Sequence, residues 1–161
     1  MMHISLSIYS GADFKTLYAI DQSCYPRGIA YSRATLNEFL RMHGSHCIVA
    51  RMGAGKDATA SGFIIGASAG SEAHVITLDV VEAFRRQKIG SALLQSLEDF
   101  FALSGVRQVE LETATQNAAG VASWQGHGYR KTGVLRGYYL GRLDAWKMRK
   151  TLAVPVPGKT Q

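Results

Sequence analysis

Three cationic side chains and one glycine lie within the six residues Arg85-Arg86-Gln87-Lys88-Ile89-Gly90. Cations bind anions, and a glycine lets a ligand approach the backbone because no side chain stands in the way. The start of a helix adds about four backbone N–H groups without internal partners and roughly half a positive charge. If a helix begins in this run, the residue types therefore predict a cradle for a diphosphate.

The hydrophobic pattern places this run between a strand and a helix. Apolar residues alternate at Ile76, Leu78 and Val80, which is the period of a strand. From Ile89 onward the apolar residues recur at helical spacing, at positions 89, 93, 94, 97, 100 and 101. We therefore expect a buried strand that leads into the basic turn and an amphipathic helix that begins directly after it.

The composition is that of a globular domain. The chain has 161 residues, of which 47% are hydrophobic and 19% charged, enough for one domain with a sizeable core. No run of about 18 apolar residues occurs, and the first residues lack a charged start followed by an apolar block, so we expect no membrane span and no signal peptide. Two cysteines, Cys24 and Cys47, are too few for a disulfide scaffold and indicate a reducing, cytoplasmic setting.

The net charge of +6 is concentrated near the C-terminus, where residues 127–161 carry eight Lys or Arg and one Asp. Such a surface attracts an acidic cofactor, an acidic peptide or nucleic acid, and it is equally typical of a solvated basic face. Charge alone does not choose among these partners.

The rest of the chain predicts further strands and helices. We expect Asp13 and Ser32 to cap two successive helices, because both residue types accept hydrogen bonds from the first N–H groups of a helix. The expected strands cover residues 4–9, 46–52, 60–69, 73–81, 106–114, 129–140 and 144–152. We expect one domain over residues 1–152 and a loose C-terminal tail over residues 153–161.

Two stretches resemble the signatures of the GNAT superfamily of N-acetyltransferases. Arg85-x-x-Lys88-x-Gly90 resembles its Arg/Gln-x-x-Gly-x-Gly/Ala acetyl-CoA signature, with Lys88 in the place of the first glycine. A lysine supplies the same backbone N–H if its dihedral angles are helical. The run from Asn117 to Gly128-Tyr129 resembles the second signature, Asn-x-x-Ala followed by a Gly-Phe/Tyr turn.

The resemblance implies the GNAT fold, an α/β (α+β) domain with a mixed, mainly antiparallel central sheet flanked by helices. It also implies acetyl-CoA as co-substrate and no metal. The cofactor-binding residues that it implies are Leu78, Asp79, Val80, Arg85, Arg86, Gln87, Lys88, Ile89, Gly90, Ser91, Asn117 and Trp124.

A GNAT enzyme moves acetyl directly from a thioester to an amine, which must lose its proton, and the oxyanion needs a hydrogen-bond donor. The family places a backbone amide there, which here means Val80 or Val81. The run Leu111-Glu112-Thr113 and the residues up to Asn117 resemble a segment of bacterial ribosomal-protein alanine N-acetyltransferases, whose glutamate is thought to act as base through water. Glu112 is therefore the candidate base, and a strand-surface glutamate is the alternative.

Asp79 and His74 are weaker candidates for the base. Relatives protonate the departing thiolate with a tyrosine, but Trp124 occupies that place and has no transferable proton. Tyr138 and Tyr139 are candidate catalytic substitutes, although the pair also resembles acceptor-binding tyrosines and would be ordinary as core aromatics.

Tyr25-Pro26 resembles the aromatic-proline pair beside the acceptor in protein N-terminal acetyltransferases, or it is a plain connection between helices. The predicted acceptor-binding residues are Tyr25, Pro26, Tyr138 and Tyr139.

The sequence thus predicts an acetyl-CoA-dependent N-acetyltransferase whose acceptor is a protein or peptide N-terminal α-amine. An α-amine has a pKa of about 8 and a lysine about 10.4, so the α-amine asks less of the base. The alternatives are a small-molecule amine acetyltransferase and a catalytically degenerate CoA-binding protein, which Lys88 and Trp124 would suit. A nucleic-acid module built on the basic C-terminal quarter is less favoured, and no membrane partner is expected.

Overall fold

The computed structural model describes residues 3–156. Its helices and strands are β1 (Ile4–Ile8), α1 (Phe14–Cys24), α2 (Arg33–Arg41), β2 (Ser45–Met52), β3 (Thr59–Ala69), β4 (Glu72–Val80), α3 (Ile89–Leu103), β5 (Gln108–Ala114), α4 (Ala118–Gly126), β6 (Arg130–Tyr139) and β7 (Leu143–Thr151). The strands form one sheet in the order β1-β2-β3-β4-β5-β7-β6. Pairing is parallel between β4 and β5 and antiparallel in the β1–β2, β2–β3, β5–β7 and β6–β7 pairs. The predicted fold class, a mixed and mainly antiparallel sheet flanked by helices, is confirmed.

The chain divides into two compact units, each with many contacts among its own residues. Within the described residues, the first unit contains residues 3–67 together with Val75–Leu97, and the second contains Ser68–His74 and residues 98–156. Among residues 3–156, no helix is long and apolar enough to cross a membrane.

The first unit packs α1 and α2 against the sheet. Leu17 and Leu36, one from each helix, are fully buried with Val49 and Phe63 of β2 and β3. Burying a side chain of this size stabilises the fold by about 1.5–3 kcal/mol. Helix α1 ends at Cys24, because the next residue is extended and Pro26 follows it.

The two predicted helix caps had different outcomes. The prediction for Ser32 is confirmed, because its Oγ accepts the N–H of Thr35 at 3.1 Å at the start of α2. The prediction for Asp13 was wrong: its carboxylate accepts the N–H of Ser10 at 3.1 Å and pairs with Arg51 at 2.7 Å. A cation on the neighbouring strand thus holds this carboxylate away from the helix.

The predicted strand is confirmed as β4, but its most deeply buried face also carries polar residues. Thr77 and Asp79 are buried, at 6% and 1% exposure, while Ile76, Leu78 and Val80 are only partly buried. The hydroxyl of Thr77 donates to Asp79 at 2.6 Å. A hydrophobicity pattern misses these buried polar residues because tertiary contacts, such as the hydrogen bond from Thr77 to Asp79, hold them inside the protein.

The second unit is formed by the start of β4 with β5, α4, β6 and β7. Val109, Leu111 and Thr113 of β5 are buried on one face, as predicted, so Glu110 and Glu112 lie on the other. Buried Glu98 accepts from Tyr129 at 2.8 Å and from Lys150 at 2.7 Å, so its charge is paired.

The predicted tail lies partly outside the described residues. Residues 153–156 contain no helix or strand, and residues 157–161 are not among those that the structure describes.

Candidate active site

The basic turn follows β4 and leads into α3. A short 3-10 turn, Glu82–Phe84, precedes the cations, and α3 begins at Ile89. Arg86 and Lys88 both have left-handed backbone conformations, with φ of 64° and 62°. The expectation of ordinary helical angles at Lys88 was wrong, and the left-handed region costs about 1–2 kcal/mol for a residue with a side chain. This geometry explains why a glycine suits the position.

Gly90 lies in the first turn of α3, where packing does not demand a glycine. A Cβ added there would approach Leu78 and Val80 at 3.8 and 3.9 Å, which are ordinary van der Waals contacts. An open surface concavity of about 370 Å³ is lined by Glu82, Arg85 and Arg86. Cationic side chains, the N–H groups of a helix start and an unfilled position at Gly90 together fit a diphosphate.

The remaining predicted cofactor residues of the turn differ in how free their side chains are. Arg85 is drawn back onto the strand, since its Nε donates to the carbonyl of Val80 at 3.0 Å. The side chain of Ile89 is 1% exposed and belongs to the core, so only its backbone could meet a ligand. Arg85 is exposed, as are Arg86, Gln87 and Lys88, and Ser91 is partly buried.

Along β4, the backbone N–H and C=O groups of successive residues point alternately to the two edges of the strand. The N–H of Val81 donates to the carbonyl of Ser61 at 2.8 Å, so β3 occupies it. Of the two backbone donors predicted for the oxyanion, Val80 is therefore the one whose N–H faces the other edge. The carbonyl of Asp79 faces Gly62 on β3 and its side chain is buried, so its side chain could not reach a bound ligand directly.

Tyr25 and Pro26 lie in the connection between α1 and α2. The hydroxyl of Tyr25 donates to the carbonyl of Leu78 at 3.5 Å. Burial, and then the negative charge of Asp79, raise the pKa of Tyr25, so this hydroxyl keeps its proton at neutral pH. Pro26 is exposed, and its carbonyl accepts the N–H of Ile29 at 3.0 Å. The connection is a compact turn anchored on β4.

Glu112 is the centre of a three-residue cluster in the second unit. Its Oε1 lies 2.6 Å from Nε2 of His74 and accepts the hydroxyl of Tyr138 at 3.1 Å. The side chain of Glu112 is 12% exposed and that of His74 41%. Strands β4, β5 and β6 each contribute one member, so the carboxylate is held between an imidazole and a phenol and still has an opening to solvent.

Glu110 lies two residues before Glu112 and on the same face, but its partners are cations. It accepts Nε of Arg149 at 3.0 Å, and Nζ of Lys147 lies 4.0 Å away. The hydrogen bond from Arg149, reinforced by the charge of Lys147, lowers the pKa of Glu110. A carboxylate stabilised in this way is a weak base, so Glu110 is poorly suited to accept a proton.

Tyr138 and Tyr139 meet edge to face, with ring centroids 4.8 Å apart. Burial, and then the negative charge of Glu112, raise the pKa of Tyr138 to about 12. The same two causes raise the pKa of Tyr139. Both phenols therefore keep their protons at neutral pH and can serve as hydrogen-bond donors but not as bases.

The chain matches the family model described as "Acetyltransferase (GNAT) family" over residues 14–129. This chain belongs to the GNAT family. It is 28% identical over 153 residues to "N-alpha-acetyltransferase RimI" of Mycobacterium tuberculosis, covering 94% of this chain and 95% of that protein. It is 34% identical over 80 residues to an "N-alpha-acetyltransferase" of Sulfurisphaera tokodaii, a match that spans 49% of this chain and 48% of the relative, about half its length.

A solved structure agrees with this assignment at the level of the fold. The crystal structure of the ribosomal-protein-S18-alanine N-acetyltransferase from Escherichia coli superposes with a TM-score of 0.83 at 23% identity, covering 99% of this GNAT chain and 100% of the other. The predicted family is confirmed, and a prediction of an acetyl-CoA-dependent N-acetyltransferase agrees with it.

The second GNAT signature has structural contacts of its own in this chain. The side chain of Asn117 caps α4, accepting the N–H of Gly120 at 3.0 Å. A Cβ at Gly120 would collide with that side chain, which explains a glycine there. The ring of Trp124 packs edge to face on Tyr129, with centroids 5.4 Å apart. Their predicted contacts with acetyl-CoA stay predictions.

The sequence ranked His74 below Glu112, although the structure joins the two side chains. Their separation of 38 residues carries no local signal. The parallel register between β4 and β5, in which His74 lies opposite Glu110, creates the contact. The one feature of the sequence that could have indicated this contact is a histidine near the start of the strand that precedes the basic turn.

Proposed function

We propose that this GNAT protein transfers acetyl from acetyl-CoA to the α-amine of a protein or peptide N-terminus. The observation that carries the proposal is the difference between two neighbouring glutamates: Glu110 is bound by Arg149, whereas Glu112 is held by His74 and Tyr138. The chain thus offers one carboxylate without an arginine or lysine partner, beside two groups that fix its orientation.

Glu112 is the proposed general base. It accepts the proton of the acceptor ammonium, directly or through one water, so that the neutral nitrogen can attack the thioester carbonyl. Tyr138 donates its hydrogen bond to the same oxygen and acts as a positioning residue for the carboxylate. His74 fixes the other side of Oε1.

The backbone of β4 and the basic turn take the remaining roles in the proposal. The N–H of Val80 is the donor for the oxyanion, and the N–H groups at the start of α3 with Arg86 and Lys88 bind the diphosphate. Acetyl-CoA supplies an activated acetyl thioester, and its thiol, with an ordinary pKa of about 8.5, leaves without a strong acid. Trp124 in the place of a tyrosine is therefore compatible with turnover.

The names of the relatives support an α-amine as acceptor. Two similar proteins are named N-alpha-acetyltransferases, and the E. coli structure is that of an enzyme for the alanine of ribosomal protein S18. An α-amine is also the easier substrate, because its pKa lies about two units below that of lysine. Tyr25, Pro26 and Tyr139 are the proposed acceptor contacts, and a cytoplasmic setting stays a prediction.

Two measurements test the proposal separately. Acetyl-CoA at about 100 times its dissociation constant stabilises the folded protein by about 2.7 kcal/mol, which is visible as a higher melting temperature. Thiol release is then followed with peptides that begin in alanine, serine or methionine, with Nα-blocked copies as matched controls, and with polyamines. Turnover of free peptides alone supports the proposal. Turnover of polyamines alone would assign a small-molecule enzyme, and cofactor binding without any turnover would assign a degenerate one.

A further inference from the structure

Two carboxyl groups are buried against each other in the first unit. Asp21, on α1, is 0% exposed and Asp79, on β4, is 1% exposed. Their carboxyl groups are within hydrogen-bonding contact. Over residues 3–156, Asp21 Oδ1 and Asp79 Oδ2 are the two buried side-chain atoms without a hydrogen-bond partner, although the phenol of Tyr25 also interacts with the carboxyl group of Asp79.

Two ionised carboxylates cannot satisfy each other. Each carboxylate oxygen is only an acceptor, and like charges in a dry interior repel, so such pairs retain a proton. The outer oxygens already have donors: the hydroxyl of Thr77 reaches Asp79 Oδ1 at 2.6 Å, and the N–H of Tyr31 reaches Asp21 Oδ2 at 2.7 Å. One shared proton would complete the hydrogen bonding of all four oxygens.

We propose that Asp21 and Asp79 share one proton at neutral pH, and that this acid pair positions the segment Cys24–Tyr31 on β4 for binding of the acceptor. The assignment of that segment to the acceptor rests on the proposed function. The shared proton itself does not, since it follows from the burial of both carboxyl groups and from their two oxygens without hydrogen-bond partners.

The segment is fastened to β4 at three alternating carbonyls. Tyr31 donates its hydroxyl to Ile76 at 3.4 Å, Tyr25 to Leu78 at 3.5 Å, and the thiol of Cys24 to Val80 at 3.5 Å. The pairing of β4 with β5 ends at His74, so β5 does not pair with β4 at these three carbonyls. The side chains thus supply donors where a neighbouring strand would otherwise supply them.

The acid pair holds both ends of this arrangement. Asp21 is on the helix from which the segment departs and also binds the N–H of Tyr31 at its far end. Asp79 lies on β4 between Leu78 and Val80, whose carbonyls carry the two contacts. Loss of the shared proton would place two negative charges between α1 and β4, and their repulsion would separate the segment from the strand.

One cation lies beside this arrangement: Nη2 of Arg85 is 3.6 Å from Sγ of Cys24, and its Nε donates to the carbonyl of Val80 at 3.0 Å. The other titratable groups that interact with Asp79 are Cys24 at the end of α1, Tyr25 in the connection that follows it, and Cys47 on β2. Burial raises the pKa of each of them, that of Cys47 to about 12, so they are neutral at pH 7. Burial, and then contact with Asp21, raise the pKa of Asp79 in the same way.

The shared proton is tested directly by carboxyl ¹³C NMR on the wild-type protein labelled at its six aspartates. We expect the two coupled resonances to report one retained proton at pH 7, which is lost only at higher pH. Asp13, whose pKa is lowered by its hydrogen bond with Arg51, is the internal reference for an ordinary paired carboxylate. If Asp21 and Asp79 both ionise at acidic pH with the exposed aspartates, the proposal is overturned.

The positioning role is tested by measuring the KM for a peptide substrate of the enzyme as a function of pH. In the wild type, KM should rise above the pH at which the pair loses its proton. Asp21→Asn replaces the shared proton by an amide donor and should abolish this pH dependence, whereas Asp21→Ala should raise KM at every pH. Asp57→Asn, the same change in an exposed turn, is the matched control and should keep the wild-type profile.

Each half of the proposal can fail by itself. A retained proton with a KM that does not respond to pH or to Asp21→Ala would overturn the positioning role. Failure of the proposed N-terminal acetyltransferase activity would leave the NMR result intact and would show as an absence of peptide turnover in the wild type.

Discussion

Glu112→Gln removes the proposed base while changing almost nothing else. The amide keeps the shape of the side chain and retains an oxygen that can accept a hydrogen bond from Tyr138. In the wild type the hydroxyl of Tyr138 lies 3.1 Å from Oε1 of Glu112. Since the side chain is only 12% exposed, solvent has restricted access to replace the lost function. Removing a general base lowers the rate by about two to four powers of ten, equivalent to about 3–5 kcal/mol of transition-state stabilisation.

The assay is steady-state thiol release with acetyl-CoA and a peptide substrate, measured from pH 6 to pH 10. The deficit of Glu112→Gln in kcat/KM should be largest near pH 7 and should shrink above the amine pKa of about 8, because the acceptor is then already deprotonated. Glu110→Gln is the matched control, with the same chemical change on the same face of β5. An equal loss in both variants, or wild-type kcat/KM in Glu112→Gln at pH 7, would refute the assignment of the base.

Three further predictions concern the backbone and the acid pair. Lys88→Gly should be more stable than Lys88→Ala by about 1 kcal/mol in urea unfolding, because glycine accepts the left-handed angle; equal stability would contradict strain at this position. Gly62→Ala places a Cβ 2.6 Å from the carbonyl of Asp79 and should lower the free energy of unfolding by about 1–3 kcal/mol. Gly90→Ala should leave the stability unchanged and weaken CoA binding, measured by calorimetry. The reverse pattern would argue against a cofactor role for Gly90. Because the pKa of Asp79 is raised, the native state binds more protons than the unfolded chain above a pH of about 4. The stability of the wild type should therefore fall with rising pH, by up to about 1.4 kcal/mol per pH unit, relative to that of Asp21→Asn. Parallel curves of stability against pH for the two proteins would argue against the shared proton.

The sequence predicted the fold well because periodicity and turn chemistry decide it. Alternation along β5, the helical spacing from Ile89 and the cap at Ser32 are all local signals, and each element formed where they indicated. Asp13 failed as a cap because Arg51, distant in sequence, offers its carboxylate a stronger partner. Local propensity does not contain such contacts.

The candidate site was predicted less completely, for a related reason. Glu112 could be proposed from a resemblance, but its partner His74 required the register between β4 and β5. Asp21 gave no signal, since a single acidic residue in an amphipathic helix ordinarily faces solvent. The burial of Asp79 was not predicted, because it depends on tertiary contacts with Asp21 and Thr77.

The central claim, acetyl transfer to an N-terminal α-amine, is tested most directly with one peptide that carries both a free N-terminus and an internal lysine. After reaction with isotope-labelled acetyl-CoA, fragmentation mass spectrometry locates the label. The account predicts labelled acetyl on the α-amine and none on the lysine. Label on the lysine with an unmodified N-terminus would contradict it.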